Sequence, residues 1–379
     1  MPGTPLLDER LSRLIDRIGS QYDFLALLGQ GGAGSVYEVR NRSLDRREAL
    51  KFLVDVFHDA EARARFLNEA KVAAALEHPN LVNVYAFGET DGLSWFTMRL
   101  IEGPSLSEVF ERQIPFDASL CLRLAIPLLE ALEYSHAQGV VHRDIKPANI
   151  LFTPQGRPCL ADFGVAKTDV NAMLTRTGQI MGTPAYVAPE QALGERVDPR
   201  ADLYALGMTC YKALAGRLPF SADHALQTLV QRLKEDPQPL RLSRPDLDPE
   251  LEAILMRALS REREGRWPSA GAMREALLGY ALKHGLAWDG PLEPVRSIAL
   301  PRSPLLPTGR PVDPTPAPAG SLDPTLDLPR QAPGRKRWWI GALALAGAAA
   351  IGWTGFRSFT VPPPAPAVEP EVLSPQLLP

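Results

Sequence analysis

Proline placement limits this chain before any motif is considered. Of its 37 prolines, 18 fall in residues 1–290 and 19 in the remaining 89. Each proline fixes φ and removes a backbone donor, so a segment carrying one every few residues sustains neither a helix interior nor a sheet ladder. Residues 291–334 have that character, with Ser, Thr, Asp and Ala between the prolines. Such a stretch has too little apolar surface to offset the entropy lost on ordering. The packed core must therefore come from what precedes it. Composition allows one, since 45% hydrophobic and 22% charged residues are the proportions of a globular chain.

Charge and cysteine usage narrow the function classes. With 41 basic against 44 acidic residues the net charge is −3, which argues against a dedicated nucleic-acid binder. Cys121, Cys159 and Cys210 are odd in number and far apart, so neither a disulfide framework nor a cysteine-bound zinc is expected, and the folded part reads as cytosolic. The six histidines lack the close spacing of a transition-metal site. Any metal should have oxygen ligands.

Strand-like alternation at 24–28 and 35–39 gives way to helical periodicity from about Ala60 onward. That order predicts a small sheet-rich half followed by a larger helical half, after an N-terminal extension (1–21) without signal-peptide character. Beyond the Pro-rich segment, assigned as a juxtamembrane linker over 283–337, residues 338–356 are nineteen in a row without a charge. At ~1.5 Å per residue they span roughly 28 Å, the thickness of a bilayer's hydrocarbon core. The alternative, a buried Ala-rich core helix, has no globular sequence beside it to bury it. Trp338, Trp339 and Trp353 sit near the ends, where aromatic belts form. Arg330, Arg335, Lys336 and Arg337 outnumber Arg357 across the span, so the positive-inside rule puts residues 1–337 in the cytoplasm. The expected location is the cell membrane, single-pass, with a short Pro-rich tail (357–379) outside.

Gly29, Gly31 and Gly34 form a G-x-G-x-x-G, which alone is a weak signal. A Rossmann site is one reading, with Asp55 near the spacing of a ribose-binding acid. Such a turn must enter a helix, however, and residues 35–39 alternate like a strand. A strand-turn-strand flap fits better, its backbone N–H groups facing phosphate oxygens. Lys51 ends the following apolar run, within reach of those phosphates. Glu69 lies in an apparent helix with Phe66, Ala70, Ala73 and Leu76.

The strongest signal is His142-Arg143-Asp144-Ile-Lys146-Pro-Ala-Asn149. Five fixed residue types at that spacing arise by chance at roughly one position in a few million. Asp162-Phe163-Gly164 begins eighteen residues after Asp144, and Ala188-Pro189-Glu190 follows. With these in place the chain resembles the Hanks-type (eukaryotic-like) bacterial serine/threonine protein kinases with a single membrane span, over about Tyr22 to Leu282.

The resemblance implies an α+β, bilobal protein-kinase fold: a small antiparallel-sheet N-lobe with one helix (about 22–101) and a larger helical C-lobe (about 102–282). It implies ATP and Mg²⁺, with Mn²⁺ as an alternative, and protein substrates bearing Ser or Thr. Lys51 would hold the α- and β-phosphates, fixed by an ion pair with Glu69; Asn149 and Asp162 would be metal ligands. Asp144 would accept the substrate hydroxyl's proton and Lys146 offset charge on the transferred group. Adenine would lie between Val36, Ala49 and Leu151, with Met98 as gatekeeper and backbone bonds to Arg99 and Ile101. Arg99 departs from the acidic residue common there, and Ala33 stands where relatives often have Met; neither touches a required side chain. Asp202 should brace the catalytic loop and Glu190 pair with Arg266.

A pseudokinase usually lacks the lysine or a metal ligand, and all are present here. A small-molecule kinase usually lacks a peptide-docking segment, which Gly182-Thr183-Pro184 and Ala188-Pro189-Glu190 supply. Lys146 and Thr183 match the serine/threonine pattern rather than the tyrosine one. Arg143, beside the catalytic Asp, implies activation by a phosphate on the loop, with Lys167 lining the same pocket. Thr175 and Thr177 are the expected sites of autophosphorylation, through a transient homodimer.

Overall fold

In the computed structural model, the described residues are Ser12, 15–31, 34–52, 74–90, 93–162, 184–220, 225–298 and 303–304. The backbone divides into residues 1–311 and 312–379, and every described residue belongs to the first unit. The helix expected from about Ala60, the loop 163–183 with Thr175, Thr177 and Lys167, and residues 338–356 lie outside the described residues. Among the described residues, no helix is long and apolar enough to cross a membrane.

Strands β1 (Tyr22–Gly31), β2 (Gly34–Asn41), β3 (Arg46–Phe52), β4 (Val84–Thr90) and β5 (Leu93–Arg99) form an antiparallel sheet, in the order β4-β5-β3-β2-β1. Its two faces are both apolar, and period-2 alternation decides which residue serves which. On β3, Leu50 and Phe52 join Tyr37, Val39 and Trp95 in one cluster. Ala49 falls on the opposite face with Val82, Phe96, Met98 and Ala161. Lys51, two residues from Ala49, shares that second face.

The larger lobe contains α1 (Leu106–Glu111), α2 (Ala118–Ala137), the hairpin β6 (Ile150–Phe152) and β7 (Pro158–Leu160), α3 (Pro189–Ala192), α4 (Arg200–Ala215), α5 (Ala225–Lys234), α6 (Pro249–Ala258), α7 (Ala270–Lys283) and α8 (Glu293–Arg296). Asp117 caps α2 by accepting from Leu120 N–H at 2.8 Å. Helix α4 has 13 of its 16 residues buried, so it is the centre of the lobe rather than a one-faced surface helix. The bilobal α+β expectation matches this arrangement.

Two boundaries differ from the sequence reading. Ile18, in the extension assigned to 1–21, is 4% exposed and packs with Tyr22 and Trp95 in the sheet's core. At the other end, part of the segment assigned as linker from residue 283 is packed: Leu292 and Val295 are buried in the larger lobe, with Leu286 and Trp288 against it. Leu292 N–H donates to Gly156 O at 3.0 Å, and Arg123 Nη1 to Pro291 O at 3.0 Å. Proline content hid these apolar anchors. A further strand, β8 (Ser303–Pro304), pairs antiparallel with Ala26 and Leu27 of β1.

Candidate active site

The strand β5 leads through residues 99–105 into α1, and a cavity of about 360 Å³ opens beside that connection. Val36, Ala49 and Leu151 line it, together with Gly29, Met98, Arg99 and Ile101. Leu27, Leu28, Val82 and Ala161 add apolar wall that sequence reasoning did not name. Val82 and Ala161 come from separate segments, joined because Val82 N–H donates to Leu160 O at 2.9 Å. No local spacing encodes that. A Cβ on Gly29 would meet no protein atom within 4 Å, so packing against the protein does not by itself demand glycine there. Gly34 has φ +135°, a conformation side-chain-bearing residues rarely adopt. Gly31 ends β1, opposite Gly34 in the register.

Below the cavity, the segment between α2 and β6 carries the acid. Lys146 Nζ donates to Asp144 Oδ2 at 2.9 Å, and Asn149 Nδ2 donates to the same oxygen at 3.0 Å and to Asp144 O at 2.8 Å. Three side chains separated by two and five residues thus meet at one carboxylate. The turn that presents it is strained, since Arg143 has φ +64°. Asp202 at the start of α4 holds it, accepting from His142 N–H and Arg143 N–H at 2.8 Å each. His136 Nε2 lies 2.8 Å from the same carboxylate. The ring of His142 is wholly buried; its Nε2 faces Ala161 O at 3.0 Å while Nδ1 accepts from Asp144 N–H at 3.2 Å. Burial pushes its pKa below the usual imidazole value, in keeping with the neutral tautomer those partners require.

Lys51 Nζ donates to Asp162 Oδ2 at 2.6 Å. Glu69, the partner expected for Lys51, lies outside the described residues. Asp162 also has positive φ, +58°, and its Oδ1 is buried without a hydrogen-bond partner among the described residues. Asn149 spends its amide N–H groups on Asp144, which leaves its carbonyl oxygen as acceptor. An orphaned carboxylate oxygen and an amide oxygen are hard donors, suited to a divalent cation of the Mg²⁺ type.

The expected bracing ion pair is present: Arg266 donates to both Glu190 oxygens, at 2.7 and 2.8 Å, with both side chains buried. Arg266 also donates to Ser260 O and Arg261 O. Unforeseen was Gln191, whose Nε2 donates to Arg143 O at 3.0 Å and ties α3 to the turn that carries Asp144. Gly103 was missed too; a Cβ there would collide with the Phe152 carbonyl oxygen.

An apolar cleft along the connection between two lobes, reaching Asp162 and through it the Lys51 ammonium, is the arrangement of the bilobal kinase class. The chain belongs to the protein kinase family, since the family model described as protein kinase domain matches residues 22–277. It is 39% identical over 265 residues to the probable serine/threonine-protein kinase SCO3848 of Streptomyces coelicolor, covering 68% of this chain and 39% of that protein. It is 38% identical over 286 residues to serine/threonine-protein kinase pkn3 of Myxococcus xanthus, covering 72% and 52%. Against serine/threonine-protein kinase PknA of Mycobacterium tuberculosis it is 38% identical over 270 residues, covering 69% and 61%. The chain thus spans between 39% and 61% of the length of these relatives. Kinases of this family use ATP and a divalent metal.

Proposed function

We propose that the chain transfers the γ-phosphoryl group of ATP to Ser and Thr hydroxyls of proteins. The observation that carries this reading is the convergence of Lys146 and Asn149 on the Asp144 carboxylate, at 2.9 and 3.0 Å, below an apolar cavity that reaches Asp162. Asp144 is the acceptor for the substrate hydroxyl's proton, oriented by those two donors. Lys146 then offsets charge on the phosphoryl group as it moves. Lys51 shifts from Asp162 toward the α- and β-phosphates, with Glu69 as its orienting partner. The adenine ring fills the space between Val36, Ala49 and Leu151 and bonds to the backbone of Arg99 and Ile101.

Asp162 and Asn149 would hold Mg²⁺, with Mn²⁺ as an alternative; when bound, the ion neutralises phosphate charge and fixes phosphate geometry. We assign 338–356 as a membrane span with the kinase domain cytoplasmic, supported by the uncharged run and the flanking basic residues. Thr175 and Thr177 are the proposed autophosphorylation sites, modified between molecules in a transient homodimer. A phosphate there supplies up to two negative charges for Arg143 and Lys167, enough for about one to three charge-assisted hydrogen bonds.

The test is incubation of full-length protein and of its Asp144→Asn and Lys51→Met variants with Mg-ATP and a protein substrate, read by mass spectrometry. Both variants should fold and lose transfer, with weaker nucleotide binding in Lys51→Met. Transfer at wild-type rate by either would defeat the assignment. Carbonate extraction tests the anchor: protein released to the supernatant would refute the span. Replacing Thr175 and Thr177 together by Ala should lower the initial rate to that of phosphatase-treated wild type.

A further inference from the structure

Arg232 is 1% exposed, which is rare for an arginine. It projects from α5, which no motif in the sequence marks. Its Nη1 donates to Val187 O at 2.7 Å and its Nη2 to Ala185 O at 2.9 Å. Its guanidinium also lies 5.9 Å from the centre of the Phe220 ring. The two carbonyls flank Tyr186, in the stretch that joins Thr183 and Pro184 to Ala188-Pro189-Glu190. That stretch has its C-terminal end fixed separately, by the Glu190–Arg266 ion pair and by Gln191 reaching Arg143 O.

A guanidinium taken almost wholly out of water is retained only where acceptors replace its hydration. Here they include main-chain oxygens of the segment on which a peptide substrate would rest. The planar fork reaches both carbonyls at fixed separation, whereas a lysine is a point donor on a flexible stem and cannot span them in the same way. Holding alternate carbonyls also fixes the direction in which residues 185–187 turn their remaining groups. Burial lowers the guanidinium pKa, yet the group stays cationic far above physiological pH, so the contact is charge-assisted throughout.

We infer that Arg232 is a positioning residue for protein-substrate binding: it sets the main chain of residues 185–187 against the catalytic turn and takes no part in nucleotide binding. The inference rests on the kinase reading above and adds to it a determinant of substrate affinity outside the recognised motifs.

The experiment measures KM for a protein substrate, KM for ATP, substrate-independent Mg-ATP hydrolysis and thermal unfolding, on full-length wild type, Arg232→Lys and Arg232→Met. In Arg232→Lys the KM for protein substrate should rise about tenfold, as expected for the loss of one charge-assisted bond. The KM for ATP and the hydrolysis rate should stay within about twofold of wild type. Arg232→Met should show the same split, more strongly. If Arg232→Met fails to fold, Arg232→Lys with Arg232→Gln, which retains amide donors, decides the matter by the same split. An unchanged KM for protein substrate in Arg232→Lys, or equal rises in both KM values, overturns the inference while transfer by wild type leaves the kinase reading standing. Absence of transfer by wild type overturns both.

Discussion

Replacing Asp202 with Asn tests how the catalytic turn is held. The two carboxylate oxygens divide their work: Oδ1 accepts from Arg143 N–H, Oδ2 from His142 N–H while also lying 2.8 Å from His136 Nε2. Asn can keep the first bond, but its NH₂ then faces the His142 N–H, donor against donor. His136 can adapt by changing tautomer; a backbone amide cannot. One buried donor is left unsatisfied, at a cost of about 1–3 kcal/mol. The turn has little reserve against this loss, because the left-handed φ of Arg143 itself costs about 1–2 kcal/mol. The expected drop in unfolding temperature is about 2–4 °C per kcal/mol for a domain of this size. Since Asp144 follows Arg143 directly, transfer should fall about five- to 150-fold, the rate equivalent of the same 1–3 kcal/mol, while nucleotide affinity, set by the cavity, stays close to wild type. The assay pairs differential scanning fluorimetry with nucleotide titration and steady-state kinetics. Wild-type kcat in a folded Asp202→Asn protein would refute the claim that these hydrogen bonds hold the turn.

Glu190→Gln leaves a buried guanidinium without its counter-charge and should destabilise the domain by about 3–5 kcal/mol, read as a lower urea midpoint; an unchanged midpoint would count against a structural role for the pair. Gly103→Ala drives a Cβ into the Phe152 carbonyl and should lower stability by about 1–3 kcal/mol with a raised KM for ATP, because Gly103 lines the cavity; unchanged values of both would show that the connection between β5 and α1 simply moves aside. Burial depresses the His142 pKa, so below about pH 6.5 the unfolded chain takes up a proton that the folded one resists, and stability present above that pH is lost as pH falls toward the folded value. Urea midpoints should therefore decline between about pH 7 and 5.5 and decline less in His142→Gln; parallel pH profiles would exclude this linkage.

What the sequence discloses about the site is what short spacing encodes. Asp144, Lys146 and Asn149 meet because two- and five-residue separations suffice to bring them together, and Val36, Ala49 and Leu151 line the cavity where strand alternation puts them. The remainder depends on contacts between distant segments. Val82 and Ala161 become wall residues through the pairing of Val82 with Leu160, and Arg232 reaches Ala185 from 47 residues away. A buried cation on an otherwise ordinary helix leaves no local signature. Composition also misleads at the boundaries. Leu292 and Val295 carry the apolar spacing of a docking turn, but their neighbouring prolines make residues 291–298 resemble the linker that follows. Ile18 similarly lies in a charged segment, buried between the exposed Arg17 and the half-buried Gly19.

Strain and support in this domain are distributed across separate elements. Both acids proposed for transfer sit at or beside non-glycine residues with positive φ, Arg143 at +64° and Asp162 at +58°. Arg143 is held through its N–H by Asp202 on α4 and through its carbonyl by Gln191 on α3, while the Asp162 side chain is held by Lys51 on β3. Such residues persist only where the surroundings over-determine them, and here the restraints come from α3, α4 and β3. Loosening any one removes a restraint on the turn it supports.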